Sequence, residues 1–197
     1  MEKDSQKYDY SLKTIVFGCE NVGKSMISSR FAQNNFKFDY LNTIGGDFFN
    51  KIIKVNETQI QFQIWDTPGD IIYFPRFLKF LKNAACYIFV YDVTNEASFE
   101  ELSKRINYLG TEIPFLNKNT IIVGNKTDCY SRKLSYEAGL QLAQSLNFKF
   151  IEVSAKENYN INELFTILAS VVLDKLQTKT LYPEYDKNGI DTSKSVN

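Results

Sequence analysis

Histidine is absent from the 197-residue sequence. Its absence excludes histidine-based catalytic triads, histidine metal sites and imidazole pH switches, so any hydrolysis must use other groups. Cysteine is scarce, and the three cysteines, Cys19, Cys86 and Cys129, show no paired spacing. A reducing compartment is therefore expected rather than a disulfide framework. Because no apolar run reaches the ~20 residues of a membrane-spanning helix, we expect a cytoplasmic protein.

Net charge is absent as well, because 23 Lys and Arg side chains balance 23 Asp and Glu side chains. This balance argues against a nucleic-acid-binding groove and against a polybasic membrane patch. What the sequence does contain is ordinary for a globular protein, with 44% hydrophobic and 23% charged residues. A chain of this length and composition can bury a sizeable core within one domain.

Short apolar runs alternate with amphipathic stretches along the chain. Continuous runs such as "ACYIFVYDV" and "TIIVGN" predict strands covered on both faces, whereas the period-two pattern of "TQIQFQIW" predicts a half-buried strand. Asn56 and Glu57 form a turn-like pair between two runs and predict a hairpin. Ser98, with Glu101 three residues on, predicts a capping box at a helix start. The further predicted strands are 12–18 and 148–153, and the predicted helices are 24–33, 98–109, 135–146 and 161–176.

This alternation of strands and helices predicts the fold class. We expect an α/β fold with a doubly wound, mostly parallel six-stranded sheet, one antiparallel edge hairpin and helices on both faces. The apolar periodicity stops at Gln177, and the polar stretch after it predicts a flexible tail. We therefore divide the chain into an N-terminal extension (1–11), one domain (12–176) and a C-terminal tail (177–197).

The segment "GCENVGKS", from Gly18 to Ser25, matches the pattern G-x-x-x-x-G-K-[ST] between a predicted strand and a predicted helix. Glycine in this segment, the predicted phosphate loop, lets the backbone curl until successive N–H groups face a phosphate chain, and the helix N-terminus adds positive potential. Lys24 would reach the β- and γ-phosphates, and the Ser25 hydroxyl would bind Mg²⁺. The alternative is a chance match in a glycine-containing turn, which the flanking strand and helix disfavour.

Two later segments distinguish guanine from adenine. In "GNKTD", the Asp128 carboxylate can accept hydrogen bonds from both N1–H and the exocyclic amine of guanine. Adenine offers no such donor pair and would leave the carboxylate unpaired, at a cost on the order of 1–3 kcal/mol. Asn125 would tie the base to the phosphate loop, the Lys126 stem would lie along the ring, and the Ala155 N–H of "SAK" would meet guanine O6. These features favour GTP and GDP over the ligand of an ATP-dependent P-loop enzyme.

Five segments of the sequence are similar to segments of a known protein family: "TIGGDF", "FQIWDTPG", "YDVTNEASFEEL", "GNKTD" and "EVSAKENYNINELF". With these, the chain from Leu12 to Leu176 resembles a small GTPase of the Ras superfamily, closest to the Rab family. The resemblance implies a P-loop NTPase G domain that binds GTP or GDP with Mg²⁺. It also implies two switch segments, the first at "TIGGDF" and the second after "FQIWDTPG", that are released when the γ-phosphate is lost.

The resemblance assigns roles to residues at matching positions. Thr43 would bind Mg²⁺ and close switch I, Asp66 would hold the metal through a water, and the Gly69 N–H would sense the γ-phosphate. Phe36 would pack edge-on against guanine and Tyr40 would cover the phosphates, with ordinary loop anchoring as the alternative for both. The predicted catalytic residues are Lys24, Thr43, Gly69 and Asp70, and the predicted metal ligands are Ser25, Thr43 and Asp66. The predicted nucleotide contacts are Glu20, Asn21, Val22, Gly23, Lys24, Ser25, Met26, Phe36, Tyr40, Thr43, Gly69, Asn125, Lys126, Asp128, Ser154, Ala155 and Lys156.

Two residues depart from the Rab pattern beside the expected γ-phosphate. Asp70 follows "DTPG", where Rab proteins carry the glutamine that orients the attacking water. An ionised aspartate is shorter than glutamine, only accepts hydrogen bonds and brings negative charge toward an anionic phosphate. The alternative is that Asp70 acts as a general base, but base catalysis gains little in a largely dissociative transition state. Glu20 replaces the usual Gly or Ser and would crowd the γ-phosphate and an inserted arginine finger, unless its side chain turns into solvent. We therefore expect slow intrinsic GTP hydrolysis and little response to GTPase-activating proteins.

The resemblance also implies partners and a cellular role. Effector proteins would read both switch segments, and exchange factors and GTPase-activating proteins would act on the nucleotide state, in vesicle trafficking or related signalling. The alternative is a non-hydrolysing pseudo-GTPase that uses a nucleotide-stabilised fold as an interaction scaffold. The last cysteine is Cys129, so the prenylated C-terminal cysteine motif of Rab proteins is lacking. We therefore expect membrane association only through partners, with recruitment to endomembrane surfaces, unless the terminus is processed or truncated.

Overall fold

The computed structural model describes residues 8–36, 46–69, 81, 84–112, 119–177 and 190–191. The described strands are β1 (Tyr10–Gly18), β2 (Asp47–Val55), β3 (Thr58–Asp66), β4 (Cys86–Asp92), β5 (Thr120–Asn125), β6 (Lys149–Glu152) and β7 (Ile190–Asp191). The described helices are α1 (Lys24–Gln33), α2 (Glu96–Glu112), α3 (Tyr136–Ser145) and α4 (Ile161–Gln177). None of these helices is both long and apolar enough to cross a membrane.

The strands form one sheet with the order β2-β3-β1-β4-β5-β6, and the two-residue β7 lies beside β1. All neighbouring pairs from β3 to β6 are parallel. β2 is antiparallel to β3 at the sheet edge, where Val55 pairs with Thr58 across the turn at Asn56 and Glu57. Asn56 adopts the left-handed conformation (φ 53°), which asparagine tolerates better than most residues. The predicted α/β fold with one antiparallel edge hairpin is confirmed.

The core has two layers because successive residues of the central strands face opposite sides of the sheet. In β4, Ile88 and Val90 pack into the cluster under α1 and α4. The alternate residues Phe89 and Tyr91 pack into the cluster under α2 and α3. Helices therefore cover both faces of the sheet, which explains why β4 is buried along its whole length.

The structure corrects the predicted starts of one strand and one helix. β1 begins at Tyr10, two residues before the predicted start at Leu12, because Tyr10 and Ser11 already pair with β3. The predicted capping box is wrong: α2 begins at Glu96, and the Ser98 hydroxyl donates to the Asn95 carbonyl oxygen (2.7 Å). Of the predicted tail, the described residues Ile190–Asp191 pair antiparallel with β1.

Candidate nucleotide-binding site

The predicted site residues come together at one edge of the sheet. β1 ends at Gly18, β3 at Asp66 and β5 at Asn125. A short turn that begins at Ser154 follows β6. Since parallel strands present their carboxyl ends at the same edge, these segments meet where open α/β sheets bind ligands.

The phosphate loop needs glycine at the position before α1. Gly23 has a φ of 93°, and a Cβ built on it would lie 2.3 Å from the Asn125 side-chain nitrogen. A residue with a side chain would therefore be strained there and would also displace Asn125. α1 begins at the next residue, Lys24, so the loop leads directly into a helix N-terminus of the kind that binds anions.

Lys24 is held across the phosphate loop. Its side chain is buried, and Nζ donates to the Cys19 carbonyl oxygen (2.7 Å). Burial lowers the pKa of Lys24, and the neighbouring Asp66 carboxylate opposes this shift. The lysine cation is thus kept in a site where phosphate oxygens would be stronger partners than a single carbonyl oxygen.

Ser25 and Asp66 form the part of the site that fits a metal ion. The Ser25 hydroxyl donates to Asp66 Oδ2. Among the described residues, no hydrogen-bond partner reaches the other oxygen, Oδ1, although it is buried. Burial raises the pKa of Asp66 to about 6, while the Ser25 hydrogen bond and the Lys24 charge act in the opposite direction. A buried carboxylate oxygen without a donor is the arrangement that a hard divalent cation would complete.

The described protein groups alone make an incomplete metal site. No group of three or more Cys, Asp and Glu side chains that could hold a metal ion occurs in the described ranges. Mg²⁺ characteristically uses one or two carboxylates together with waters and substrate phosphates. The pair Ser25 and Asp66 beside a phosphate loop therefore fits Mg²⁺ bound together with a nucleotide.

Asn125 links the phosphate loop to the turn after β6. Its Nδ2 donates to the Val22 carbonyl oxygen (2.8 Å). Its Oδ1 accepts from the Ala155 N–H (3.2 Å). Both contacts are buried, so one amide side chain orients two segments that lie far apart in sequence.

The Asp128 carboxylate is oriented by the same turn. Ser154 Oγ donates to Asp128 Oδ1 (2.6 Å), and Lys156 Nζ lies 3.7 Å from Oδ2. Lys126, which adopts a left-handed φ of 69°, directs its ammonium group to Asp92 (2.7 Å). A carboxylate held in this way can accept two parallel N–H donors, as guanine presents them.

Arg30 of α1 contributes to the base side of the site and was missed by the sequence analysis. Its guanidinium group donates to the carbonyl oxygens of Ala155 and Lys156, at 2.9 Å each. The same group lies 5.4 Å from the centre of the Phe36 ring. Arg30 therefore connects the ring expected to contact the base with the turn expected to recognise it.

The remaining predicted residues differ in their placement. Glu20 and Asn21 are exposed in the phosphate loop, so the Glu20 side chain lies at the surface. Val22 is buried and Met26 packs against the core, so only their backbone groups are suited to contact a nucleotide. Three predicted site residues, Tyr40, Thr43 and Asp70, lie outside the described residues.

Gly69 lies directly against the phosphate loop. A Cβ built on Gly69 would be 2.4 Å from the Glu20 backbone nitrogen. The Gly69 carbonyl oxygen accepts a hydrogen bond from Arg105 of α2 (2.9 Å). Arg105 was also missed by the sequence analysis, because its partner is reached only through the fold.

Comparison with known proteins agrees with this geometry. The family model described as the Ras family matches residues 13–174. Ras-related protein Rab-3A from Homo sapiens is 36% identical over 176 residues, which cover 89% of this chain and 80% of the relative. Ras-related protein Rab-1 from Theileria parva is 36% identical over 181 residues, which cover 90% of this chain and 80% of the relative. Ras-related protein Rab-3C from Bos taurus is also 36% identical, over 178 residues that cover 89% of this chain and 78% of the relative.

Proposed function

The chain belongs to the Ras family as a small GTPase similar to Rab proteins, and from that premise we propose that it is a switch between GTP-bound and GDP-bound forms. The observation that supports this proposal most directly is the position of Asn125, whose side chain contacts both Val22 of the phosphate loop and Ala155. Phosphate binding and base recognition are thereby connected through one buried side chain. Ser25 and Asp66 would hold Mg²⁺, which supplies charge neutralisation at the phosphates when it is bound.

The switch proposal is tested by hydrogen exchange on the protein loaded with Mg²⁺ and either GDP or a non-hydrolysable GTP analogue. Residues 43–48 of the first switch segment and the residues directly after Gly69 should exchange more slowly with the analogue, because only that ligand offers a γ-phosphate for them to contact. Segments far from the phosphates, such as α4, should exchange equally in both states. Equal exchange throughout both switch ranges would contradict the switch and would favour the scaffold alternative.

We further propose that intrinsic GTP hydrolysis is slow. The support is chemical: Asp70 stands where the family carries a water-orienting glutamine, and an ionised carboxylate cannot donate a hydrogen bond. Glu20 adds a second negative charge, exposed on the phosphate loop beside Gly69. The Asp70 carboxylate disfavours the positioning of an attacking water beside an anionic γ-phosphate, and the Glu20 carboxylate would compete with that phosphate for an inserted arginine finger.

Single-turnover hydrolysis of bound GTP tests this proposal in the wild type and in Asp70→Gln. We expect the variant to hydrolyse GTP about ten-fold faster or more, since an amide supplies both the donor and the acceptor that position water. Glu20→Gly is the companion variant, and its effect should appear mainly as a restored response to an activating protein. A lower rate in Asp70→Gln would show that Asp70 itself is catalytic.

A partly exposed aromatic pair supports effector binding beside the switch segments. Phe48 of β2 is 45% exposed, and its ring centre lies 4.5 Å from that of Trp65 on the neighbouring strand β3. The two strands connect the first switch segment to the second along the chain. Aromatic side chains at a surface are frequent anchors of protein interfaces, so we place effector contacts on this pair and on the flanking switch residues.

The cellular part of the proposal rests on the Rab likeness alone. We propose a role in vesicle trafficking or related signalling, in which exchange factors and effectors set and read the nucleotide state. The protein would be cytoplasmic and would reach endomembrane surfaces through partners. Fractionation of cells in the presence and absence of added GTP analogue measures this, and a nucleotide-independent distribution would contradict it.

A further inference from the structure

Arg105 of α2 connects three parts of the molecule. Its Nη1 donates to the Gly69 carbonyl oxygen (2.9 Å). Its Nε donates to Glu101 Oε1 on the preceding turn of the same helix (2.8 Å). The guanidinium group also lies 5.8 Å from the centre of the Phe17 ring at the end of β1. The Arg105 side chain is only 11% exposed, so these contacts hold it in one place.

The charge of Arg105 acts on the phosphate loop. The pKa of the Cys19 thiol is raised by burial, and the Arg105 charge is the largest influence that opposes this shift. Arg105 is therefore a second cation close to the loop that would bind phosphates, and it lies on a rigid helix.

The contact with Arg105 fixes the carbonyl group of Gly69, the residue directly before the second switch segment. On its other side Gly69 lies against the Glu20 backbone, where a side chain would not fit. Gly69 is thus confined between the phosphate loop and Arg105.

We propose that Arg105 is a positioning residue that holds Gly69 against the phosphate loop, ready to meet a γ-phosphate. Without Arg105, GTP binding itself would have to order Gly69, and that ordering would reduce the affinity for GTP. GDP lacks the γ-phosphate, so its affinity would not depend on this contact. The inference rests on the proposed function, since it concerns how the same site distinguishes the two nucleotides.

The test compares Arg105→Met with Lys104→Met. Methionine keeps an unbranched apolar stem for packing near Phe17 but cannot donate to Gly69, and Lys104 is the exposed neighbouring cation on the same helix. For each protein, the dissociation constants of a non-hydrolysable GTP analogue and of GDP are measured with Mg²⁺ present. In Arg105→Met the ratio of analogue affinity to GDP affinity should fall about ten-fold, the usual consequence of losing one charge-assisted hydrogen bond. In Lys104→Met the ratio should equal that of the wild type.

A second variant covers the case in which Arg105→Met does not fold, which a loss of GDP binding would reveal. Arg105→Lys keeps one cationic donor but not the two-sided contact with Gly69 and Glu101, so the affinity ratio should fall by a smaller factor. An unchanged or increased ratio in a variant that still binds GDP would overturn the positioning role. A wild type whose switch segments respond identically to both nucleotides would instead refute the proposed function, so the two failures are distinguishable.

Discussion

Asp66 is the residue at which burial and charge conflict most directly. The carboxyl group is almost completely buried and its pKa is raised to about 6, chiefly by desolvation. In the unfolded chain an aspartate ionises near pH 3.9. The folded, metal-free protein therefore binds this proton more tightly than the unfolded chain. Its stabilising effect is complete below about pH 4 and is lost as the pH rises through about 6.

We predict that Asp66→Asn stabilises the protein when metal and nucleotide are removed. At pH 8 the variant should exceed the wild type in free energy of unfolding by up to about 3 kcal/mol, because it avoids a buried negative charge. The difference should vanish below about pH 4. Urea unfolding in the presence of a chelator, repeated from pH 4 to pH 8, measures this effect.

When Mg²⁺ and GDP are added, the wild type should become more stable than Asp66→Asn, since only the carboxylate can then pair with the cation. Glu163→Gln, at an exposed position of α4, controls for the general loss of one acidic group and should show neither effect. A destabilised Asp66→Asn at pH 8 in chelator would mean that the ionised carboxylate is satisfied without a metal.

At the scale of elements, the packing of α3 on the sheet depends on a glycine. A Cβ on Gly139 would lie 2.3 Å from the Tyr91 hydroxyl oxygen and 2.5 Å from the Phe150 ring. Glycine within a helix costs up to ~1 kcal/mol relative to alanine, so helix propensity does not favour it. Close approach of α3 to β4 and β6 is the physical reason for this residue.

Two matched substitutions separate packing from helix propensity. Gly139→Ala should lower the free energy of unfolding by about 1–3 kcal/mol, because an added methyl group in a packed core forces neighbours to move. Gly110→Ala, in α2, meets no atom within 4 Å and should raise the free energy of unfolding by up to ~1 kcal/mol. Urea unfolding of both variants loaded with GDP gives the comparison. If both variants gain stability, the claim that Gly139 is too closely packed to accept a side chain is contradicted.

At the scale of the whole molecule, the nucleotide site joins segments that no single element holds together. Asn125 connects the phosphate loop to Ala155, and Arg30 connects α1 to the same turn. The Ser25–Asp66 pair adds the end of β3. A ligand that contacts all of these segments would hold them together at the edge of the sheet. Binding should therefore stabilise the fold as a unit.

We predict that GDP with Mg²⁺ raises the free energy of unfolding by about 4 kcal/mol at a thousand-fold excess over its dissociation constant. ADP at the same concentration should have little effect, because adenine lacks the donor pair that Asp128 accepts. Asp128→Asn is the control, and at the GDP concentration that protects the wild type it should lose most of the stabilisation. Thermal unfolding over a nucleotide series measures both, and equal protection by ADP would contradict the base assignment.

Much of the fold was predictable because its determinants are local. The turn at Asn56, the start of α3 after Ser135 and the phosphate loop all depend on neighbours within a few residues; Ser135 does cap α3, since its hydroxyl oxygen accepts from the Ala138 N–H (3.2 Å). Arg30 and Arg105 could not be predicted. Their partners lie 125 and 36 residues away, respectively, and no short pattern records such pairs.

The sequence by itself determined the class of ligand. Residue types at fixed spacing are enough to indicate a loop that binds phosphates and a carboxylate that matches guanine. They also show that the shorter, acidic Asp70 replaces a glutamine. Only the tertiary structure decided how these groups are held: Asn125 bridging two segments, Asp66 buried with one oxygen unpartnered among the described residues, and Gly69 confined by Arg105. The physical reason is that burial and long-range hydrogen bonds arise from the packing of the whole chain, whereas the chemistry of a side chain is fixed by the residue type alone.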